Sequence, residues 1–155
     1  MKIHIELTMA ITPVTENNIH QAAYIHAESW KESHKSFVSR QALAKRTVER
    51  QTEYLRQQMN EGKEIYMLTD GIPVGIVSIK DSFIENLYVL PEKQRQGYGS
   101  ILLKHAIRKC SGTTMLTVLN NNTAIEMYRK FGFKETGKTI TLNPELWEIE
   151  MILER

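Results

Sequence analysis

Residues 87–103 read LYVLPEKQRQGYGSILL: a strand-like apolar run, a polar loop with two glycines, and the start of a helical pattern. The first turn of a helix has backbone N–H groups without partners and a partial positive charge, so it attracts anions. Gly97 and Gly99 let a bulky anion approach the main chain, and Arg95 adds a charge that can pair with phosphate. This segment therefore predicts a site for a diphosphate.

The spacing of the glycines separates this loop from two common nucleotide-binding motifs. A dinucleotide-binding loop needs three glycines spaced G-x-G-x-x-G, and position 102 is a leucine. A Walker loop needs Gly-Lys-Ser/Thr, whereas Gly99 is followed by Ser100 and Ile101. The pattern that remains is Gln-x-x-Gly-x-Gly, beginning at Gln94 after a hydrophobic strand. Taken alone, such a loop can also be a plain tight turn before a helix.

A second motif lies downstream, where residues 117–133 read TVLNNNTAIEMYRKFGF. It contains the pattern Asn-x-x-Ala-Ile-x-x-Tyr-x-x-x-Gly-Phe, from Asn121 to Phe133. The two motifs in this order resemble the GNAT superfamily, the acetyl-coenzyme A-dependent N-acetyltransferases. The resemblance extends from about residue 63 to about residue 137. It implies a mixed α/β fold, with a central, mostly antiparallel twisted sheet, a splayed parallel strand pair and about four flanking helices.

The resemblance also implies acetyl-coenzyme A as cosubstrate and assigns residues to its parts. In the family the glycine loop binds the pyrophosphate, and the strand before it bonds the pantetheine through its backbone like an added strand. A side chain at the position of Asn121 bonds the pantetheine or its phosphate, although Asn121 could instead be a helix N-cap. The cofactor-binding residues implied are Leu87, Tyr88, Val89, Gln94, Arg95, Gln96, Gly97, Tyr98, Gly99, Ser100 and Asn121.

Two residues are expected to move protons. A phenol within hydrogen-bond reach of the departing thiolate can protonate it, and Tyr128 lies four residues after Ala124 on the same helix face. The alternative for Tyr128 is a core position with its hydroxyl satisfied. An attacking amine is mostly protonated near neutrality, so a base must accept its proton. Glu85, on the strand before the glycine loop, is the candidate base if its side of the strand faces the cleft.

The acceptor pocket is expected between the first two helices, where GNAT enzymes build part of it. The stretch from Ser29 to His34 resembles a Ser-Trp-x-x-x-Tyr pattern of small bacterial members, with His in place of the last aromatic. Trp30 and His34 are therefore the candidate substrate-binding residues. They could equally pack beneath a loop.

The composition is typical of a globular protein: of 155 residues, 41% are hydrophobic and 25% charged, and the formal net charge is +2. So small a charge argues against nucleic acid or an anionic membrane as partner. No apolar run is long enough to span a bilayer, and the first residues do not read as a secretion signal. The single cysteine, Cys110, suits a reducing cytoplasm. The five histidines are scattered, so no metal site is predicted.

Hydrophobic periodicity predicts a strand, two helices, three strands, a helix, a strand, a helix and two strands. The first helix should follow an N-cap at Thr15, and the second should span residues 40–60 and end at Gly62. A hairpin over residues 63–80 should turn at Asp70-Gly71. The remaining elements are expected at residues 7–14, 83–90, 100–109, 115–118, 123–130, 133–142 and 147–153. We expect one domain over residues 1–155, with residues 1–8 a possible N-terminal extension.

The function expected from the resemblance is acetyl transfer from acetyl-coenzyme A to the primary amine of a small molecule, by direct attack in a ternary complex. A protein or peptide acceptor, at an N-terminus or a lysine, is the second possibility. A non-catalytic acetyl-coenzyme A sensor is a third, although the intact glycine loop and Tyr128 weigh against it. The resemblance also implies a homodimer, since many GNAT enzymes pair through their last strands, and alternating apolar residues between Leu142 and Leu153 could pair or pack across such an interface.

Overall fold

The computed structural model describes residues 9–155. The predicted extension at residues 1–8, with the start of the predicted first strand, lies outside the described residues. Within residues 9–155 the chain forms seven strands and five α-helices, with a short 3₁₀ turn at Pro91–Lys93. In chain order they are β1 (Met9–Pro13), α1 (Ile19–His34), α2 (Arg40–Ala44), α3 (Val48–Asn60), β2 (Glu64–Asp70), β3 (Ile72–Lys80), β4 (Phe83–Val89), α4 (Tyr98–Lys109), β5 (Thr114–Leu119), α5 (Ala124–Lys130), β6 (Lys134–Asn143) and β7 (Leu146–Leu153).

The strands form one mixed sheet in the order β1-β2-β3-β4-β5-β7-β6. Every neighbouring pair is antiparallel except β4 and β5, which run parallel. These two strands are paired only at Phe83–Met115 and Ile84–Leu116, and beyond those pairs they separate. The predicted fold class, with its splayed parallel pair, is confirmed.

Helices cover the two faces of the sheet and define two apolar cores. On one face α4 and α5 pack against the sheet, with Leu102 and Leu103 fully buried against Leu68 and Val77. On the other face α1 and α3 cover strands β2 to β4, in a core that includes Ile19, Ala23, Leu55, Met67 and Ile76. Successive residues of β2 enter the two cores in turn, as strand geometry requires: Tyr66 and Leu68 lie in one core, Ile65 and Met67 in the other.

Two helix boundaries differ from the predictions. The predicted helix over residues 40–60 is broken, because Thr47 Oγ1 accepts a hydrogen bond from the Arg50 N–H and starts α3 afresh. Gly62 follows the end of α3 as expected. The predicted N-cap at Thr15 is wrong: Asn18 is the residue before α1, and its side chain accepts a hydrogen bond from the Thr15 N–H at 2.8 Å. The turn from Thr15 to Asn18 is thereby closed before the helix begins.

The first helix is also longer than predicted. It continues through Trp30 to His34, so both residues lie in its last turns and not between two helices. Their ring centroids are 3.9 Å apart and nearly parallel, because one helical turn places positions i and i+4 side by side.

Buried polar side chains lie between α1, α3 and β4. His26 is almost completely buried, and its Nδ1 accepts a hydrogen bond from Gln51 Nε2 at 2.7 Å. Its ring contacts the rings of Tyr54 and Tyr88. Burial and the nearby Arg46 charge lower the pKa of His26 to about 4, although a hydrogen bond with Asn86 acts in the opposite direction. His26 is therefore neutral in the folded protein near pH 7.

Helix α4 approaches β3 most closely at Gly75. A Cβ atom at this position would lie 2.7 Å from Leu102 Cδ1 and 2.9 Å from the Tyr88 carbonyl oxygen.

We expect Gly75→Ala to lower the free energy of unfolding by about 1–3 kcal/mol, because the helix must move away from the sheet. Urea unfolding measures this change. In the control Gly99→Ala the nearest atom lies 3.5 Å away, so stability should be unchanged or slightly raised. Equal stability of the two variants would contradict the close packing at Gly75.

The buried His26 predicts a pH dependence of stability. An unfolded histidine binds a proton below its ordinary pKa of 6.5, whereas the folded one does so only near pH 4. The free energy of unfolding should therefore fall as the pH is lowered through this window, by about 2 kcal/mol between pH 7 and pH 5. His26→Gln should remove most of this fall, because burial also lowers the pKa of His34 and His105, and His20→Gln on the exposed side of α1 should retain it. Denaturant midpoints at the two pH values measure the effect; an unaltered profile in His26→Gln would exclude His26 as its source.

Candidate functional site

A cavity of about 920 Å³ lies where β4 and β5 separate. Its walls come from the end of α1, β4, the loop before α4, β5 and α5. Of the predicted site residues Gln96 alone does not line it. The others do: Trp30, His34, Glu85, Leu87, Tyr88, Val89, Gln94, Arg95, Gly97, Tyr98, Gly99, Ser100, Asn121 and Tyr128. The structure thus brings residues that are about 100 positions apart in the chain around one space.

The glycine loop leads directly into α4. Gly97 has a φ of +87°, in the left-handed region that favours glycine, and it immediately precedes the helix. No side chain caps this helix start, and Ser100 is its third residue and not its cap. A Cβ at Gly97 would meet no atom within 4 Å. The first-turn N–H groups of α4 and the open space above them form an anion-binding arrangement.

Two contacts hold the loop and the end of β4 together. Gln94 Nε2 donates a hydrogen bond to the Val89 carbonyl oxygen at 3.2 Å, and Ser29 Oγ donates to the same oxygen at 3.3 Å. The Tyr98 side chain is buried in the core, where its hydroxyl donates to Asp70 Oδ2 at 2.5 Å. Only the backbone of Tyr98 is therefore available to a ligand in the loop.

A bulge in β4 changes which side chains share a face. Opposite the single residue Val77 on β3, β4 has two residues, Asn86 and Leu87, and Asn86 has a φ of +52°. Plain alternation predicts Glu85 on the same face as Leu87 and Val89, and this is wrong. Because of the bulge, Glu85 and Tyr88 face the α1 side of the sheet, whereas Leu87 and Val89 pack on the α4 side.

The three consecutive asparagines have three different environments. Asn120 accepts from the Trp147 N–H and donates to the Glu145 carbonyl oxygen, so it holds the turn between β6 and β7. Asn122 Oδ1 accepts from the Ala124 N–H at 2.8 Å at the start of α5. Asn121 is exposed and lines the cavity. The capping role considered for Asn121 is therefore filled by Asn122.

Tyr128 lies on α5 beneath the cavity and is 7% exposed. Its ring meets that of Phe133 edge-on, with centroids 6.0 Å apart. Burial raises the pKa of Tyr128 above its ordinary value, and the nearby Tyr88 raises it further. The phenol therefore keeps its proton near pH 7, as a proton donor must.

Glu85 is half-buried and forms an ion pair with Lys63 Nζ, which also contacts Gln58 Oε1. Lys63, which precedes β2, thus neutralises the charge of the Glu85 carboxylate on β4. Only one carboxylate oxygen of Glu85 takes part in this contact, and the side chain also lines the cavity. Strand periodicity does not predict Lys63 as the partner of Glu85.

Trp30 and His34 form an aromatic wall of the cavity. The His34 Nδ1–H donates to the Trp30 carbonyl oxygen at 2.8 Å, which leaves Nε2 as an acceptor. Burial lowers the pKa of His34, so the ring is biased towards its neutral form. The Arg46 guanidinium lies over the Trp30 ring, 3.9 Å from its centroid.

The cavity lining includes charged residues that the sequence analysis missed. Lys93 and Lys130 join Arg95 among its cations, and Glu32 and Glu148 join Glu85 among its carboxylates. Glu148 Oε2 accepts a hydrogen bond from Thr117 Oγ1 at 3.1 Å. No local signal marks Glu148, because it reaches the site only through the insertion of β7 beside β5.

Within residues 9–155, none of the helices is long and apolar enough to cross a membrane. In the same part of the chain, no three or more His, Cys, Asp or Glu side chains are grouped so that they could hold a metal ion.

Four curated proteins match part of this chain in sequence. Peptidyl-lysine N-acetyltransferase YjaB from Salmonella typhimurium is 33% identical over 67 residues, which are 43% of this chain and 46% of that protein. The match thus spans about half the length of the relative.

Solved structures resemble the chain over nearly its whole length. The PaiA N-acetyltransferase of Thermoplasma acidophilum, in complex with coenzyme A, has a TM-score of 0.69 at 21% identity, over 95% of this chain and 99% of that one. The ribosomal-protein-S18-alanine N-acetyltransferase of Escherichia coli has a TM-score of 0.67 at 21% identity, over 94% of this chain and 93% of that one. At such identities the likeness concerns the fold.

A family model described as an acetyltransferase (GNAT) domain matches residues 22–154. The match includes both sequence motifs, the separated strands β4 and β5, and the residues around the cavity. The chain therefore belongs to the GNAT acetyltransferase family.

Proposed function

We propose that this protein transfers the acetyl group of acetyl-coenzyme A to the primary amine of a small molecule, by direct attack within a ternary complex. The observation that carries the proposal is the cavity between β4 and β5. It joins an anion-binding helix start, an unpaired strand and a buried phenol.

The coenzyme would bind in this cavity with its pyrophosphate at α4 and its pantetheine along β4. Its pyrophosphate would lie on the N–H groups at the start of α4, with Arg95 beside them. Its pantetheine would run along β4 beyond Ile84, where the strand has no partner on the β5 side. Backbone groups of Leu87 and Val89 would then pair with the pantetheine amides as in strand addition. Asn121, exposed at the cavity wall, would donate to the same arm.

The reaction requires one proton to leave the amine and one to reach the thiolate. The amine nitrogen attacks the thioester carbonyl carbon, and collapse of the tetrahedral intermediate breaks the C–S bond. The Tyr128 phenol, protonated near neutrality because of its burial, would protonate the departing sulfur. Glu85 would accept the amine proton, directly or through a water molecule. Holding amine and thioester together would supply most of the acceleration.

The carboxylates of the cavity support an amine as acceptor. Glu32, Glu85 and Glu148 line it and would attract an ammonium group before its deprotonation. A peptidyl-lysine acceptor is the second candidate, favoured by the 33% identity to YjaB, which is named for that activity. Acetyl-coenzyme A turnover over a panel of small amines and lysine peptides would distinguish the two. Binding of acetyl-coenzyme A without turnover of any amine or peptide would favour a sensor.

The pyrophosphate assignment predicts the effect of Gly97→Val. Acetyl-coenzyme A should raise the melting temperature of the wild-type protein, because a ligand that binds the folded state stabilises it. Valine is strained at the φ of +87° and places its side chain in the open space above the helix start, so the shift should be lost. The control is Gly112→Val, at φ +67° and also in open space, outside the cavity lining. A full shift in Gly97→Val would mean that the loop does not bind the pyrophosphate.

The acid role of Tyr128 predicts the effect of Tyr128→Phe. The ring stays and the hydroxyl is lost, so turnover should fall by roughly 10²-fold, while coenzyme affinity changes little. The control is Tyr66→Phe, at a residue that is buried to a similar extent and whose hydroxyl donates to Glu64 outside the cavity. Steady-state kinetics and coenzyme titration measure both effects. Full turnover in Tyr128→Phe would mean that water or the substrate, and not Tyr128, protonates the departing thiolate.

A further inference from the structure

A second cavity, of about 250 Å³, lies between the end of α1, α2 and the start of α3. Trp30, Ala42, Lys45, Arg46, Arg50 and Gln51 line it. The share of one water molecule in liquid volume is about 30 Å³, so the space suits one small charged group and a few carbon atoms. The glycine loop and Tyr128 do not line it, so the coenzyme assignment leaves this cavity unexplained.

The lining of this cavity is strongly positive. Three of its six residues are cations, Lys45, Arg46 and Arg50. Within the part of the chain that the structure describes, none of the three forms an ion pair, and no carboxylate lines the cavity. Most other cations around α1 and α3 do have acidic partners, for example Lys31 with Glu28.

The start of α3 adds to the positive electrostatic potential in this cavity. Arg50 and Gln51 lie in the first turn of that helix, whose N-terminal end carries a partial positive charge. The one carboxylate in the turn, Glu49, is exposed and does not line the cavity. The charge of Arg46 also lowers the pKa of both His26 and His34, as an unneutralised cation does.

Trp30 connects this cavity to the main one. It lines both of them, and the Arg46 guanidinium lies over its ring. A molecule that contacts Trp30 in the main cavity is therefore next to the cavity that holds the cations. The main cavity has carboxylates in its lining, whereas every charged residue that lines the second cavity is a cation.

We propose that the second cavity binds an anionic group of the acetyl acceptor, a carboxylate or a phosphate, so that the acceptor is a small amine that also carries a negative charge. The inference rests on the proposed acetyl transfer. The ammonium end of the acceptor would be drawn to the carboxylates of the main cavity, and its anionic end to Lys45, Arg46 and Arg50. Such an arrangement selects zwitterionic amines over simple polyamines.

Matched acceptors that differ by one carboxylate test the proposal. Lysine against cadaverine, and ornithine against putrescine, form two such pairs. The wild-type protein should show a lower KM for the carboxylate-bearing member, and Arg50→Gln should raise that KM by about tenfold, since a hydrogen bond to a charged group is lost. The KM for the diamine should change less than twofold. Equal KM values within each pair, or equal effects of Arg50→Gln on both members, would overturn the proposal.

The matched control for these kinetics is Arg40→Gln. Arg40 is an exposed arginine at the start of α2 that lines neither cavity. Its removal changes the net charge by the same amount, so it should leave both KM values unaltered. An increase as large as that in Arg50→Gln would assign the effect to the overall charge and not to the cavity.

A binding experiment without turnover separates this proposal from the proposed reaction. The chain has two tryptophans, so Trp147→Phe leaves Trp30 as the only indole reporter. Inorganic phosphate should change its fluorescence saturably, and chloride at equal ionic strength should not. The change should vanish when Lys45→Gln and Arg50→Gln are added. A response that never saturates, or that survives these changes, overturns the anion site even if acetyl transfer is observed.

Discussion

The separation of β4 from β5 is the constraint on which the rest of the site depends. The two strands are joined at only two residue pairs, Phe83–Met115 and Ile84–Leu116, and beyond these pairs they are no longer bonded to each other. A strand edge without a neighbouring strand can pair with a ligand that has amide groups of its own, and this is where we propose that the pantetheine binds. On its other edge β5 is paired along its whole length with β7, which keeps one wall of the gap rigid. The glycine loop and α5 then close the two ends of the opening.

A polar cluster in the core supports the shape of β4. The bulge at Asn86 places a non-glycine residue at positive φ, which costs free energy unless the surroundings stabilise it. His26 lies next to this bulge and is held by its hydrogen bond with Gln51, in a layer that is mostly apolar. The bulge in turn decides that Glu85 and Tyr88 face the α1 side.

Charge is distributed unevenly around the two cavities. The main cavity has cations near the glycine loop, among them Arg95, and carboxylates that include Glu148 elsewhere in its lining. In the smaller cavity beside Trp30, all the charged lining residues are cations. The near-neutral total charge therefore hides strong local electrostatic potentials, which the proposed charged cosubstrate and acceptor would meet. The phenol of Tyr128 is buried beneath the main cavity, and this burial raises its pKa and keeps it protonated.

Features that depend on neighbouring residues could be predicted from the sequence: the glycine loop with its helix, the Asn-x-x-Ala-Ile motif and the hairpin turn at Gly71. They follow from backbone preferences and from side-chain periods that act over a few positions, whereas the fold class was predicted from the resemblance to the GNAT family. Four features appear only in the folded chain: the break before Thr47, the reversal of faces at Asn86, the pairing of Lys63 with Glu85 and the entry of Glu148 into the cavity. The reason is physical. One extra residue in a strand inverts every side chain after it, and a contact between distant strands depends on the order of the sheet, which no local pattern encodes.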